Sequence, residues 1–126
     1  MIKINVAEIK KRLVGEKTLA YELSPAELEI TPEELVIDGT VNLEGTMSNA
    51  GDVLLLQAVM TAKVQRTCGR CLKNFTGVAR AEVVEKFYPA SAEHIENDAF
   101  VYDSDVIDIT EPLREGLLLA EPMQAL

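Results

Sequence analysis

The chain has 126 residues, 48% of them hydrophobic, and a formal net charge of −9. These values fit one globular domain over residues 1–126 and exclude wholesale disorder. With two cysteines, no apolar leader at the N-terminus and no apolar run near the roughly 20 residues of a membrane helix, the chain reads as cytoplasmic rather than secreted or membrane-spanning.

Residues 7–13 set Ala7, Ile9 and Leu13 among charges, with Asn5 as a candidate N-cap, and predict a short helix ending near Gly15. Residues 18–23 alternate and predict a strand. Turns follow at Ser24-Pro25 and Thr31-Pro32. From Leu35 the period-2 signal is strong, with Leu35, Ile37, Val41, Leu43 and Met47 on one face and Asp38, Thr40, Asn42 and Glu44 on the other. Residues 48–52 form a hairpin turn cluster. Residues 53–66 predict the next strand, its inner face formed by Leu54, Leu56, Ala58, Met60, Ala62 and Val64. Residues 67–74 make the second connection, and residues 75–88 the third long strand. That strand carries Val78 and Val84 on one face and Phe75, Val83 and Phe87 on the other.

Residues 89–98 read as a polar loop, followed by short strands at 99–102 and 105–109. Thr110 is placed to cap a final helix, with Pro112 in its first turn. Leu113, Leu117 and Ala120 lie on one side of that helix, Leu118 and Leu119 widen the stripe, and the helix stops near Glu121-Pro122. The predicted fold is α+β: an antiparallel β meander of long strands with a short N-terminal helix and a C-terminal helix packed on the sheet.

Charge falls in blocks along these elements. Residues 20–52 hold eight acidic and no basic side chains, and residues 82–126 hold eleven acidic and two basic ones. Between them, residues 53–81 hold Lys63, Arg66, Arg70, Lys73 and Arg80 and no acidic side chain. The basic block either pairs with acidic neighbours across the sheet or forms a small anion-binding, RNA-facing patch. The acidic blocks either keep the protein soluble or receive a basic partner.

Cys68-Gly69-Arg70-Cys71 is the one chemically pointed motif. A C-x-x-C turn between strands directs two sulfurs at one point, as in half of a zinc site, but structural zinc takes four ligands. His94 is the one histidine and lies in the predicted polar loop. A redox dithiol is the second reading, although the βαβ setting that usually lowers a thiol pKa is missing. Two small residues in a turn is the third. Arg70, inside the motif, suits either a bidentate phosphate contact or a local carboxylate. With no glycine-rich phosphate loop and no Ser/His/Asp set, an enzyme is not expected. Phe75, Phe87, Tyr88, Phe100 and Tyr102 are the aromatics available for base stacking, and most of them suit the core better.

Taken in order, the strand around Val36-Ile37-Asp38-Gly39-Thr40-Val41, the segment Val64-Gln65-Arg66-Thr67-Cys68-Gly69-Arg70-Cys71-Leu72, the strand ending Glu85-Lys86-Phe87, and the helix Pro112-Leu113-Arg114-Glu115-Gly116-Leu117-Leu118-Leu119-Ala120-Glu121-Pro122-Met123 resemble the YceD family, the large ribosomal RNA subunit accumulation proteins. The resemblance runs from about residue 15 to the end. It implies a non-enzymatic role in synthesis, processing or stability of 23S rRNA. The expected partners are pre-large-subunit rRNA or a basic large-subunit ribosomal protein, and the basic block supplies Lys63, Arg66, Arg70 and Lys73 as candidate nucleic-acid contacts. The resemblance further implies a four-thiolate zinc site in which Cys68 and Cys71 meet a C-terminal cysteine cluster. The chain stops at Gln124-Ala125-Leu126, where that cluster would begin, so Cys68 and Cys71 are expected to supply only a half-site. The competing readings are a metal- or redox-linked dithiol module and a protein-binding adaptor.

Overall fold

The computed structural model describes residues 2–10, 15–51, 53–67, 74–93, 95 and 99–120. The long strands come first in the architecture. β2 (Glu16–Leu23), β3 (Val36–Asn49), β4 (Leu54–Thr67) and β5 (Asn74–Pro89) pair antiparallel in chain order, forming the predicted meander. Alternation sets their faces, because successive side chains point to opposite sides of a strand. Leu19 and Leu23 of β2, Val41, Leu43 and Met47 of β3, and every even-numbered position from Leu54 to Val64 of β4 are buried. The register keeps these residues together on one side: Leu43 faces Met60, and Met47 faces Leu56. On β5 the choice falls to Ala79, Ala81, Val83 and Phe87, while Val78 and Val84 lie on the opposite, exposed face.

Gly45 lies opposite Ala58 where the strands approach closely. A Cβ there would sit 2.2 Å from the Gln57 carbonyl oxygen. Between Asp38 and Asn42 the β3–β4 register shifts, and Gly39 takes φ +87 within that bulge. Such a backbone suits glycine, which has no Cβ to clash.

Three shorter elements extend or cover this frame. β6 (Phe100–Tyr102) joins β5 as a parallel neighbour, with the Phe87 and Phe100 rings stacked at 5.3 Å. The sheet is therefore a meander with a parallel edge strand. β1 (Lys3–Asn5), which the sequence pattern did not reveal, pairs antiparallel with β7 (Val106–Asp108) in a separate two-stranded ribbon. α1 (Ala7–Lys10) starts where predicted, and the Asn5 side-chain oxygen accepts the Ala7 N–H at 3.0 Å. The remainder of the predicted 7–13 helix lies outside the described residues.

α2 (Thr110–Leu119) packs on the core face of β5, where Gly116 lies against Val83 and Met60. Its buried residues Leu113 and Leu117, the ribbon's Ile4 and Ile107, Ile9 of α1, and Leu28 and Ile30 from the β2–β3 connection complete one core. Two expectations for this helix are corrected. Thr110 is its first residue rather than its cap, and its hydroxyl is engaged elsewhere: it accepts the Ile2 N–H at 2.7 Å and donates to Asp108 Oδ1 at 2.5 Å. The N-cap position falls on Ile109, without a side-chain cap, and Asp108 just before it accepts the Thr110 N–H at 2.9 Å. Leu119 does not widen the apolar stripe, being 83% exposed. Two helical positions turn a side chain about 200° from Leu117.

Candidate nucleic-acid interface

Of the predicted basic residues, Lys63 and Arg66 lie on β4 toward one end of the β4–β5 hairpin. Thr67 pairs with Asn74 as the last rung, so residues 68–73 connect the two strands at that end. Arg66 pairs with Phe75 one rung inward, and Lys63 faces Val78 three rungs further in. Of Arg66 only the backbone is described, and Cys68, Arg70, Cys71 and Lys73 lie outside the described residues.

Lys63 stands on the open face of the sheet, the one that α2 does not cover, and is exposed. Asp38 is its register partner on β3 and Val78 its partner on β5. No ion pair holds it among the described residues. Together with Asp38, Thr40, Asn42, Thr61 and Val78, Lys63 lines a recess of about 350 Å³ beside the β3 bulge. The bulge matters here because it moves Asp38 two residues along β3 relative to the strand beyond, which puts a carboxylate opposite the cation.

Arg80 was in the basic block but not among the predicted contacts. It faces Thr61 across β4–β5, on the same open face as Lys63 and diagonal to it, a placement that brings long side chains within reach of each other. Its guanidinium donates to Glu82 at 2.6 Å, and both side chains are more than half exposed. Parity with Val78 was the available signal, but without the register it could not say which face was open.

The acidic side chains are not uniformly solvated. Glu34 accepts hydrogen bonds from the Thr31 N–H and hydroxyl, both at 3.2 Å. Arg114 of α2 reaches the same carboxylate and also donates to the Glu29 carbonyl. The Thr31 N–H, opposed by burial and aided by Arg114, holds the Glu34 carboxyl below its ordinary value.

Cys68, Cys71 and His94, the expected soft ligands, lie outside the described residues. Among the described residues no group of three or more His, Cys, Asp or Glu could hold a metal ion. Cys68 and Cys71 by themselves supply two of the four ligands that structural zinc takes. The hairpin end is also remote from a recess of about 750 Å³ lined by Tyr88, Tyr102, Val53 and Glu93. That recess lies at the opposite end of β4, about 45 Å away at the usual strand rise. No described helix is long and apolar enough to cross a membrane.

An open antiparallel sheet, covered on one face by a C-terminal helix and carrying cations toward one end of its central hairpin, defines an α+β sheet protein. The particular family follows from comparison. The model of the family described as large ribosomal RNA subunit accumulation protein YceD matches residues 56–126, more than half of the chain, and the chain belongs to the YceD family. The match takes in nearly all of β4 and every element through α2, including the cysteine motif. β1, α1, β2 and β3 precede it, so it starts later than the resemblance read from the sequence. Neither a curated protein nor a solved structure matches the chain.

Proposed function

We propose that this protein is a non-enzymatic, cytoplasmic ribosome-biogenesis factor. It acts on the synthesis, processing or stability of 23S rRNA and contacts that RNA through the β4–β5 hairpin end. The observation that carries this reading is the family match, because residues 56–126 contain Lys63, Arg66, Arg70 and Lys73.

Phosphate contacts need cations that displace the counterions condensed on the nucleic acid. The basic block supplies them in a chain of net charge −9, whose acidic stretches at residues 20–52 and 82–126 repel phosphate. The acidic surroundings therefore restrict how RNA approaches, and leave the hairpin end as the favoured contact. In this reading the motif that holds Cys68 and Cys71, with Arg70 between them in sequence, takes part in the contact. Zinc is given no step, since two thiols are half of its ligand set.

The test is affinity purification from growing cells of the wild type beside a Cys68→Ser/Cys71→Ser variant, with the bound RNA identified. Enrichment of large-subunit rRNA precursors is expected for the wild type, and reduced enrichment for the variant. A folded wild-type protein that enriches no such RNA overturns the proposal.

A further inference from the structure

The sheet has an eight-residue edge that no described strand covers. β2 is the terminal strand, and its register with β3 runs from Glu16↔Ser48 to Leu23↔Val41 without a bulge. The Gly15 carbonyl accepts the Asn49 N–H at 2.8 Å, and this fixes the phase of the ladder. Hydrogen-bonded pairs recur every second residue in an antiparallel pair, so Lys17, Leu19, Tyr21 and Leu23 bond to β3. Glu16, Thr18, Ala20 and Glu22 therefore turn their N–H and C=O groups outward along about 26 Å of edge.

Proteins usually blunt such an edge with proline, a bulge, a short strand or an outward lysine. β2 has no proline or bulge, and its one lysine is diverted: Lys17 Nζ donates to the Asn5 carbonyl at 3.3 Å.

What surrounds the edge selects the occupant. On the open face, Glu16 and Glu22 flank Thr18 and Ala20, and the register partner of Ala20 on β3 is Glu44. Residues 20–52 carry no lysine or arginine. Nucleic acid meets like charge there. A second copy pairing antiparallel, with both core faces on one side and its axis at Leu19, would set Glu16 against Glu22. On the other face Tyr21, 39% exposed, offers a ring to an apolar neighbour.

We propose that the outer edge of β2 docks an extended basic segment of a partner protein as a sixth strand. Its lysine or arginine side chains lie beside Glu16 and Glu22, and small apolar side chains alternate with them. This surface is separate from the β4–β5 hairpin end and is independent of RNA contact there.

The test titrates the full chain with an octapeptide of alternating lysine and valine, following amide hydrogen exchange and affinity together. The expected result is slowed exchange at Glu16, Thr18, Ala20 and Glu22. A Glu16→Lys/Glu22→Lys variant should bind at least about fivefold more weakly. The same peptide N-methylated at alternate residues should bind the wild type weakly, because it keeps the charge and loses the ladder. The proposal is overturned by absent binding, by binding that leaves those four amides unprotected, or by equal affinity for the N-methylated peptide. It is also overturned if the four amides are protected by self-association at rising concentration, or by a uridine oligonucleotide.

Discussion

The hydroxyl of Thr110 ties the N-terminal segment to the turn that opens α2. It accepts from the Ile2 N–H, donates to Asp108, and sits 3% exposed at the start of α2. Thr110→Val keeps the shape and removes both bonds, leaving a buried N–H without a partner, a defect costing about 1–3 kcal/mol. Urea unfolding should show that loss, and Thr110→Ser should recover most of it by restoring the oxygen. Asp108 responds to pH through the same cluster. Burial raises its pKa, but the Thr110 hydroxyl and N–H, with the charge of Lys3, outweigh burial and hold it below the ordinary 3.8. A carboxyl depressed in the folded state contributes stability above its unfolded pKa and loses it as pH falls through the folded one. The stability advantage of wild type over Asp108→Asn should therefore be present at pH 6 and shrink below about pH 4, as read by denaturant melts across that range.

At the scale of elements, α2 separates residues that composition treats alike. Leu117 is fully buried against the sheet and Leu119 is 83% exposed. Leu117→Ala should cost about 2–5 kcal/mol and Leu119→Ala under about 0.5 kcal/mol, a contrast that thermal melts of the two variants will show. The sequence made the helix legible through its leucines but left its rotation open until the contact with Val83 and Met60 was seen. The four long strands were legible for a simpler reason: period-2 alternation over 14 residues in β3 and in β4 has no helical counterpart. β7 lies within the short strand predicted at 105–109. β1 was harder: it has three residues, too few for a period, and becomes a strand only through β7, about 100 residues away. The parallel placement of β6 likewise rests on the Phe87–Phe100 contact rather than on any local pattern. At the candidate site, the cysteine motif could be placed between strands because both neighbours were so regular. The exposure of Arg80 depended on which β5 face met the core, and apolar residues on both faces concealed that.

For the whole molecule, charge and topology divide the surface. The acidic β2–β3 side and the β4–β5 hairpin end belong to one continuous sheet, so the two proposed partners, of opposite charge, would meet it at separate places. The central claim is that rRNA contacts the hairpin end, and counterion release gives it a direct measure. The measurement is the affinity of the wild type and of a Lys63→Ala/Arg66→Ala/Arg70→Ala/Lys73→Ala variant for large-subunit rRNA, taken from about 50 to 200 mM salt. The account predicts that the wild type binds with a steep salt dependence, and that the variant binds more weakly with a slope shallower by about one for each phosphate contact removed. Equal affinities and equal slopes for the two proteins, both folded, would contradict it.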